Sequence, residues 1–149
     1  MSTNHLKLKI ITPERTVLEE MVDSVTIPTT EGEIGVFPMH IPLVSALASG
    51  DIVAKRGDEV IPMAVSGGFI EVKPGADSST EVAILTDFAE HVAEISDEAI
   101  AQAKARAAEL EKMKASGEVV DFEQFESELA RSLTRVKVAD KWRGKKYRI

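Results

Sequence analysis

Ser96-Asp97-Glu98-Ala99-Ile100-Ala101-Gln102-Ala103-Lys104-Ala105-Arg106-Ala107 is where the chain changes character. A serine followed by two acids reads as a helix start. The hydroxyl caps a free backbone N–H, and the carboxylates sit at the positive end of the helix dipole. Ala, Glu and Lys, all good helix formers, dominate as far as Ala115. Ile100, Ala103, Ala107 and Leu110 recur at helical spacing and form one apolar stripe. Lys112 and Lys114 fall in the last turn, and Gly117 is the expected stop. A second helix starts at Asp121, with Gln124 as its capping partner. Its stripe is Phe122, Phe125, Leu129, Leu133 and Val136, with Arg131, Arg135, Lys141 and Lys145 on the opposite face. Helices over about 96–115 and 121–143, joined by about five residues, make an antiparallel hairpin.

Upstream the period is two. Leu6, Leu8 and Ile10 alternate with Lys7 and Lys9, the pattern of a half-buried strand. Val25-Thr26-Ile27 runs into Pro28, which is expected to end or edge a strand. Ile34 to Phe37, Ile52 to Lys55, Val60 to Val65, Phe69 to Val72 and Val82 to Leu85 are further short apolar runs. Turn signals separate them: Glu31-Gly32-Glu33, Arg56-Gly57-Asp58-Glu59, Ser66-Gly67-Gly68 and Lys73-Pro74-Gly75. Short strands at this spacing predict an antiparallel sandwich or flattened barrel. The fold class is mainly β plus α, with a sandwich over residues 1–92 and a helical hairpin over residues 93–149. A two-helix hairpin alone is marginally stable, because helices draw most of their stability from tertiary contacts. It needs the β unit or a partner, and so is expected to detach and rearrange.

Aromatic residues make up only 5% of the chain, so Val, Ile, Leu and Ala must fill the core. The absence of cysteine excludes disulfides and thiolate metal sites. His5, His40 and His91 lack the spacing of a zinc site, and no metal is expected. Gly67-Gly68 are followed by Phe69 rather than a phosphate-binding lysine. No Gly-x-Ser-x-Gly elbow exists, and no carboxylate sits in an apolar run. The chain reads as one without catalysis of its own. Met1 to Lys7 lacks the apolar run of a signal peptide, and no stretch approaches the ~20 apolar residues of a membrane span, so a soluble protein is expected.

Charge is divided unevenly. The last nineteen residues carry eight bases, Arg131, Arg135, Lys137, Lys141, Arg143, Lys145, Lys146 and Arg148, against the single acid Asp140. Removing those from the chain's 18 basic and 25 acidic residues leaves ten bases and twenty-four acids over residues 1–130, a net −14. An acidic body thus ends in an arm of net +7. The two see different partners or each other. A stand-alone adaptor or nucleic-acid-binding module is one reading of the arm. The body would repel phosphate, and only Trp142 and Tyr147 offer stacking, so an acidic protein surface fits better.

The run Ile27-Pro28-Thr29-Thr30-Glu31-Gly32-Glu33-Ile34-Gly35-Val36-Phe37-Pro38-Met39-His40-Ile41-Pro42-Leu43-Val44 resembles the ε-subunit family of F-type ATP synthases. Leu6 to Arg15 resembles that family's opening strand and "TP" turn. Ser66 to Val72 resembles its "SGG-x-x-EV" segment, and Leu129 to Ala139 its second C-terminal helix. The resemblance covers nearly the whole chain. It implies a ten-stranded β-sandwich followed by a helical hairpin, in a non-catalytic rotor subunit of the central stalk. The sandwich is expected against the γ subunit and the c-ring, with Glu31, Glu33 and His40 near the ring. For His40 a local role, capping its loop between Pro38 and Pro42, stands beside that one. The hairpin is expected to extend toward the α and β subunits and restrain ATP hydrolysis. Arg131, Arg135, Lys137 and Lys141 would then meet an acidic segment of β. The family's nucleotide pattern is met at Asp97 and Ala101, but Ile100 replaces its arginine. Asp97 with Arg106 is the weak nucleotide site that remains, and no cofactor is expected. Nucleic acid is not an expected partner. Membrane association is expected only through the complex, at the cytoplasmic face of a bacterial inner membrane in preference to a plastid thylakoid.

Overall fold

Strand β1 (Leu6–Ile11) buries Leu6, Leu8 and Ile10 completely and leaves Lys7 and Lys9 half-exposed. It lies antiparallel to β2 (Thr16–Val22) and parallel to β8 (Thr80–His91), with Leu6 opposite Val22 and Thr80. The computed structural model describes residues 5–118 and 121–148. Met1 to Asn4, at the start of the expected sandwich unit, Val119 and Val120, in the expected link between the two helices, and Ile149, at the end of the hairpin unit, lie outside the described residues.

The remaining strands are β3 (Ser24–Thr29), β4 (Gly32–Val36), β5 (Leu43–Leu47), β6 (Gly50–Arg56) and β7 (Glu59–Pro74). The sheet runs β2-β1-β8-β7-β5-β3-β4, and β6 pairs with both β3 and β7. The pairings among β3, β6, β7 and β5 therefore close a circuit, which wraps the sheet around an aliphatic core. Two hairpins turn in two residues. Thr30-Glu31 joins β3 to β4, and Gly57-Asp58 joins β6 to β7 with Gly57 at φ 59°.

Among the described residues eight strands are present rather than ten. Val60 to Val65 and Phe69 to Val72 belong to one strand, not to two joined by a turn. β7 pairs with β6 before Ser66-Gly67-Gly68 and with β5 after it, while β8 follows it through the bend. Splitting β7 and β8 at that bend would restore the two missing strands. Gly67 and Gly68 take φ 42° and 136° there, a region costly for other residues. The Thr86 hydroxyl lies 2.7 Å from both the Ser66 and Gly67 carbonyls and satisfies the disturbed ladder. Pro28 sits inside β3 rather than ending it. Only its donor is lost, because its carbonyl still accepts from the Ala48 N–H at 3.0 Å.

Helices α1 (Asp97–Ser116) and α2 (Phe122–Trp142) follow. The Ser96 hydroxyl accepts from the Ala99 N–H, and the Asp121 carboxylate accepts from the Gln124 N–H. Gly117 ends α1 in the left-handed conformation. Ala107, Leu110, Phe125 and Leu129 pack between the helices. The stripe expected on α2 is buried only at Phe125 and Leu129. Phe122 is 61% exposed and Leu133 43% exposed. Past Leu129 the helix acquires a second neighbour, the sheet, so the buried side rotates to Thr134, Val138 and Trp142.

A Cβ at Gly68 would collide with the Leu85 carbonyl at a positive φ. Gly68→Ala is expected to cost about 3 kcal/mol or more, measured as a lowered midpoint of urea unfolding. An unchanged midpoint would refute the bend geometry.

Candidate functional site, a basic helix docked on an acidic sandwich

The cationic arm meets the acidic body in the folded chain. Trp142, the chain's single tryptophan, ends α2 with its ring buried among Ala64, Val92, Ile95, Ile100, Val138 and Ala139. A buried indole N–H needs an acceptor. Asp51, near the start of β6, supplies it at 2.8 Å and also receives the Lys141 ammonium at 2.8 Å. Asp51 is only 13% exposed at its side chain, so both contacts are partly shielded from solvent. One turn and a half earlier, Arg135 donates from Nε to Glu90 at 2.9 Å. Its guanidinium stands 4.9 Å from the centre of the Phe88 ring, and that of Arg131 stands 5.3 Å away. Phe88 and Glu90 are two apart on β8 and so present one face to the helix. Two like charges over one ring are tolerable because Glu90 neutralises one of them.

Opposite charges also bind the helices together. Arg106 on α1 donates to both carboxylate oxygens of Glu128 on α2, at 2.6 and 3.1 Å, and pairs with Glu109 at 3.1 Å. The hydrogen bond to Glu128 is the main cause that raises the Arg106 pKa, and the same bond holds the Glu128 carboxyl below the usual carboxylate range.

The expected site residues separate into groups. Glu31 and Glu33 are exposed on the β3–β4 hairpin. His40 lies beyond the other end of β4, half-buried, and is not brought to them. Its Nδ1 is 2.6 Å from the Ile41 carbonyl, and its backbone N–H donates to Phe37 O at 3.1 Å. Arg131, Arg135 and Lys141 all face the sandwich, whereas Lys137 is exposed and makes no ion pair among the described residues. Asp97 and Arg106 are nine residues apart on α1, which places them on opposite sides of the helix. Lys145, expected on the helix, lies past its end.

Sequence reasoning missed the acceptors Asp51 and Glu90 and the ring of Phe88. It also missed the exposed apolar residues Phe37, Met39, Ile41 and Val44 after β4, with Ile41 at 75% exposure. The clue was available: Phe37-Pro38-Met39-His40-Ile41-Pro42 places apolar side chains between prolines, in a loop unable to bury them. Phe69 and Leu85 sit opposite each other on β7 and β8 and are also exposed, and Val44 lies diagonal to Phe69 on β5. An exposed apolar face of this kind marks a surface that another protein covers.

The family model for the ATP synthase delta/epsilon chain β-sandwich domain matches residues 5–92. The ATP synthase epsilon chain of Halalkalibacterium halodurans is 41% identical over 134 residues, covering 90% of this chain and 96% of that relative. That of Dehalococcoides mccartyi is 41% identical over 139 residues, covering 93% and 94%. A chain of the Euglena gracilis mitochondrial ATP synthase assembly of OSCP, F1 and c-ring superposes with a TM-score of 0.65 at 28% identity, covering 93% of this chain and 83% of that one. The chain belongs to the ATP synthase epsilon chain family. The reading of the arm as a nucleic-acid element is not supported: Arg135, Lys141 and Arg148 are already held by carboxylates of the sandwich.

Because tryptophan occurs once, fluorescence reports docking directly. Asp51→Ala strands the indole N–H and should weaken docking by about 1–3 kcal/mol. The expected signal is a red-shifted Trp142 emission that shifts further with salt; an unshifted spectrum would show that Asp51 does not hold the helix. His91 provides a second test. Burial pushes its imidazole below the ordinary pKa against an opposing pull from Glu94, with Arg148 adding to the burial effect and Glu20 opposing it. The unfolded chain therefore binds more protons at this site, and the stability contributed is full above pH ~6.5 and lost as pH falls below it. Lowering pH from about 7.5 to about 5.5 should cost the wild type more stability than His91→Asn. Parallel melting curves for the two proteins would remove His91 from the account.

Proposed function

We propose that the chain is a central-stalk rotor subunit of an F-type ATP synthase, coupling ion flow through a c-ring to ATP synthesis and restraining ATP hydrolysis through its C-terminal helices. It catalyses nothing itself and requires no cofactor. The observation that carries the regulatory half is the docking of α2 on the sandwich by exchangeable charges. Arg135 and Lys141 are paired with Glu90 and Asp51 across an interface that solvent still reaches. Any partner offering a comparable acidic surface competes for the same cations.

Solvent still reaches the Arg135 and Lys141 ends of these pairs, and ion pairs open to solvent are each worth ~0–1 kcal/mol, so charge alone holds the docked state by a small margin. Moving the hairpin from mostly folded to mostly extended requires about 5 kcal/mol of differential interaction. Arg131, Arg135 and Lys141 would exchange one set of contacts for another, so the differential would come from Lys137 and from burial of Leu133 and Phe122 against an acidic segment of a β subunit. The exposed Val44, Phe69 and Leu85 favour a long apolar partner, the γ subunit. Glu31 and Glu33 favour the polar loops of the c-ring, whereas His40 lies beyond the other end of β4 in a loop of exposed apolar residues. Among the described residues no helix is long and apolar enough to cross a membrane. Association with the membrane then runs through the complex, at the cytoplasmic face of a bacterial inner membrane. Residues 1–92 would bind the rotor, and residues 93–149 would regulate it.

Removing residues 93–149 is expected to leave assembly with γ and the c-ring intact and to raise ATP hydrolysis of the reconstituted complex. Unchanged hydrolysis would sink the regulatory half, and failure to assemble would sink the division of labour.

A further inference from the structure

We propose that the segment after α2, residues 143–148, is a latch that fastens the hairpin to the sandwich, with Arg148 as its bolt. The chain does not trail away after Trp142. Gly144 takes a left-handed conformation at φ 75°, and the Lys145 N–H donates back to the Trp142 carbonyl at 3.1 Å. This turn redirects the chain across the sandwich. Tyr147 then stands edge-on to Trp142, with ring centres 6.0 Å apart, and 6.3 Å from the His91 ring. The Arg148 backbone N–H donates to the Val60 carbonyl at 2.8 Å. Its guanidinium grips Glu20 with two parallel bonds of 2.9 and 2.7 Å and lies 3.6 Å from Glu59.

Three features distinguish this contact from an incidental surface pair. It is bidentate, the geometry that gives Arg–carboxylate pairs their directional strength. Both side chains are about three-quarters shielded, with 28% of Arg148 and 24% of Glu20 exposed. It also joins the last described residue to β2 and β7, strands that the helices do not otherwise use for ion pairing. Hydrogen bonding to Glu20 is the first cause that raises the Arg148 pKa, so the bolt stays charged at any physiological pH. Tyr147 stands edge-on to Trp142 in the same pocket, so release of the indole also breaks this ring contact. The latch therefore opposes extension of the hairpin. The inference deepens the proposed function and rests on its premise that the hairpin moves.

The test is made on the full chain by hydrogen exchange of the α2 amides at residues 129–142. Arg148→Ala and Glu20→Gln are each expected to speed that exchange by about fivefold, the scale of one partly shielded pair. The double variant should be no faster than either single one, because both remove the same bond. Unchanged exchange in Arg148→Ala, or effects that multiply in the double variant, would overturn the latch. Hydrolysis by the assembled complex separates this from the underlying reading. Faster exchange with deeper inhibition supports the latch and the regulatory hairpin together. Faster exchange with unaltered hydrolysis keeps the latch and removes the regulatory role.

Discussion

The bond from the Trp142 indole to Asp51 is the constraint that organises the lower half of the molecule. A tryptophan at the end of a helix can be buried against a sheet only if its N–H is satisfied there. Asp51 satisfies it and takes the neighbouring Lys141 as well, so one carboxylate serves two consecutive residues. That fixes the rotation of α2 at its C-terminal end. With the rotation fixed, Arg135 and Arg131, about two and three turns earlier, arrive over Phe88, and Arg135 reaches Glu90. Thr134 and Val138 then point at the sheet, and Leu133 is left outside. The departure of α2 from a single apolar stripe follows from this one end-constraint.

The hairpin could not hold that position from its own resources. Its inter-helix core consists of Ala107, Leu110, Phe125 and Leu129, with Met113 at the edge. That is too little apolar surface to set a helix pair firmly, and the Arg106–Glu128 bridge mainly sets its register. The sheet-side cluster around Trp142 is larger and draws on β7, the turn after β8 and both helices. Stability of the hairpin and its location are therefore one property. Anything that weakens docking also loosens the helices, which is how a small energetic margin becomes a conformational choice.

Local chemistry was legible and long-range pairing was not. The caps Ser96 and Asp121, the stop at Gly117, the Gly57-Asp58 turn and the alternation of β1 each depend on a few neighbouring residues, and all are present in the fold. Pro28 and Ser66-Gly67-Gly68 misled because their local preference is to interrupt a strand. Here β3 tolerates the lost donor because the Pro28 carbonyl keeps a partner in the Ala48 N–H, and the Thr86 hydroxyl satisfies the carbonyls freed at the glycine bend. The carboxylates that receive Arg135, Lys141 and Arg148 lie 45, 90 and 128 positions away. No spacing rule connects such residues. The charge imbalance between residues 1–130 and the arm announced that a partner was needed, but only the fold names Glu90, Asp51 and Glu20.

That imbalance also explains why docking is by charge. A sandwich carrying most of a net −14 repels itself, and an arm of net +7 laid across it relieves part of the repulsion without a dedicated core. Apolar docking of the same hairpin would be tighter but less responsive, since a greasy face released from the sheet would find any hydrophobic surface. Charged contacts discriminate: they exchange only for another acidic surface, and salt weakens them in a graded way. Lys137 completes the argument. It is the one of the four expected contact bases without a ring or carboxylate partner among the described residues, on the exposed side of α2 beside Leu133. A cation and an apolar side chain thus face outward while the helix is still docked. Under the proposed function, an acidic partner would engage α2 at these two positions first and displace Asp51 and Glu90 afterwards, so exchange would not need to pass through a free hairpin.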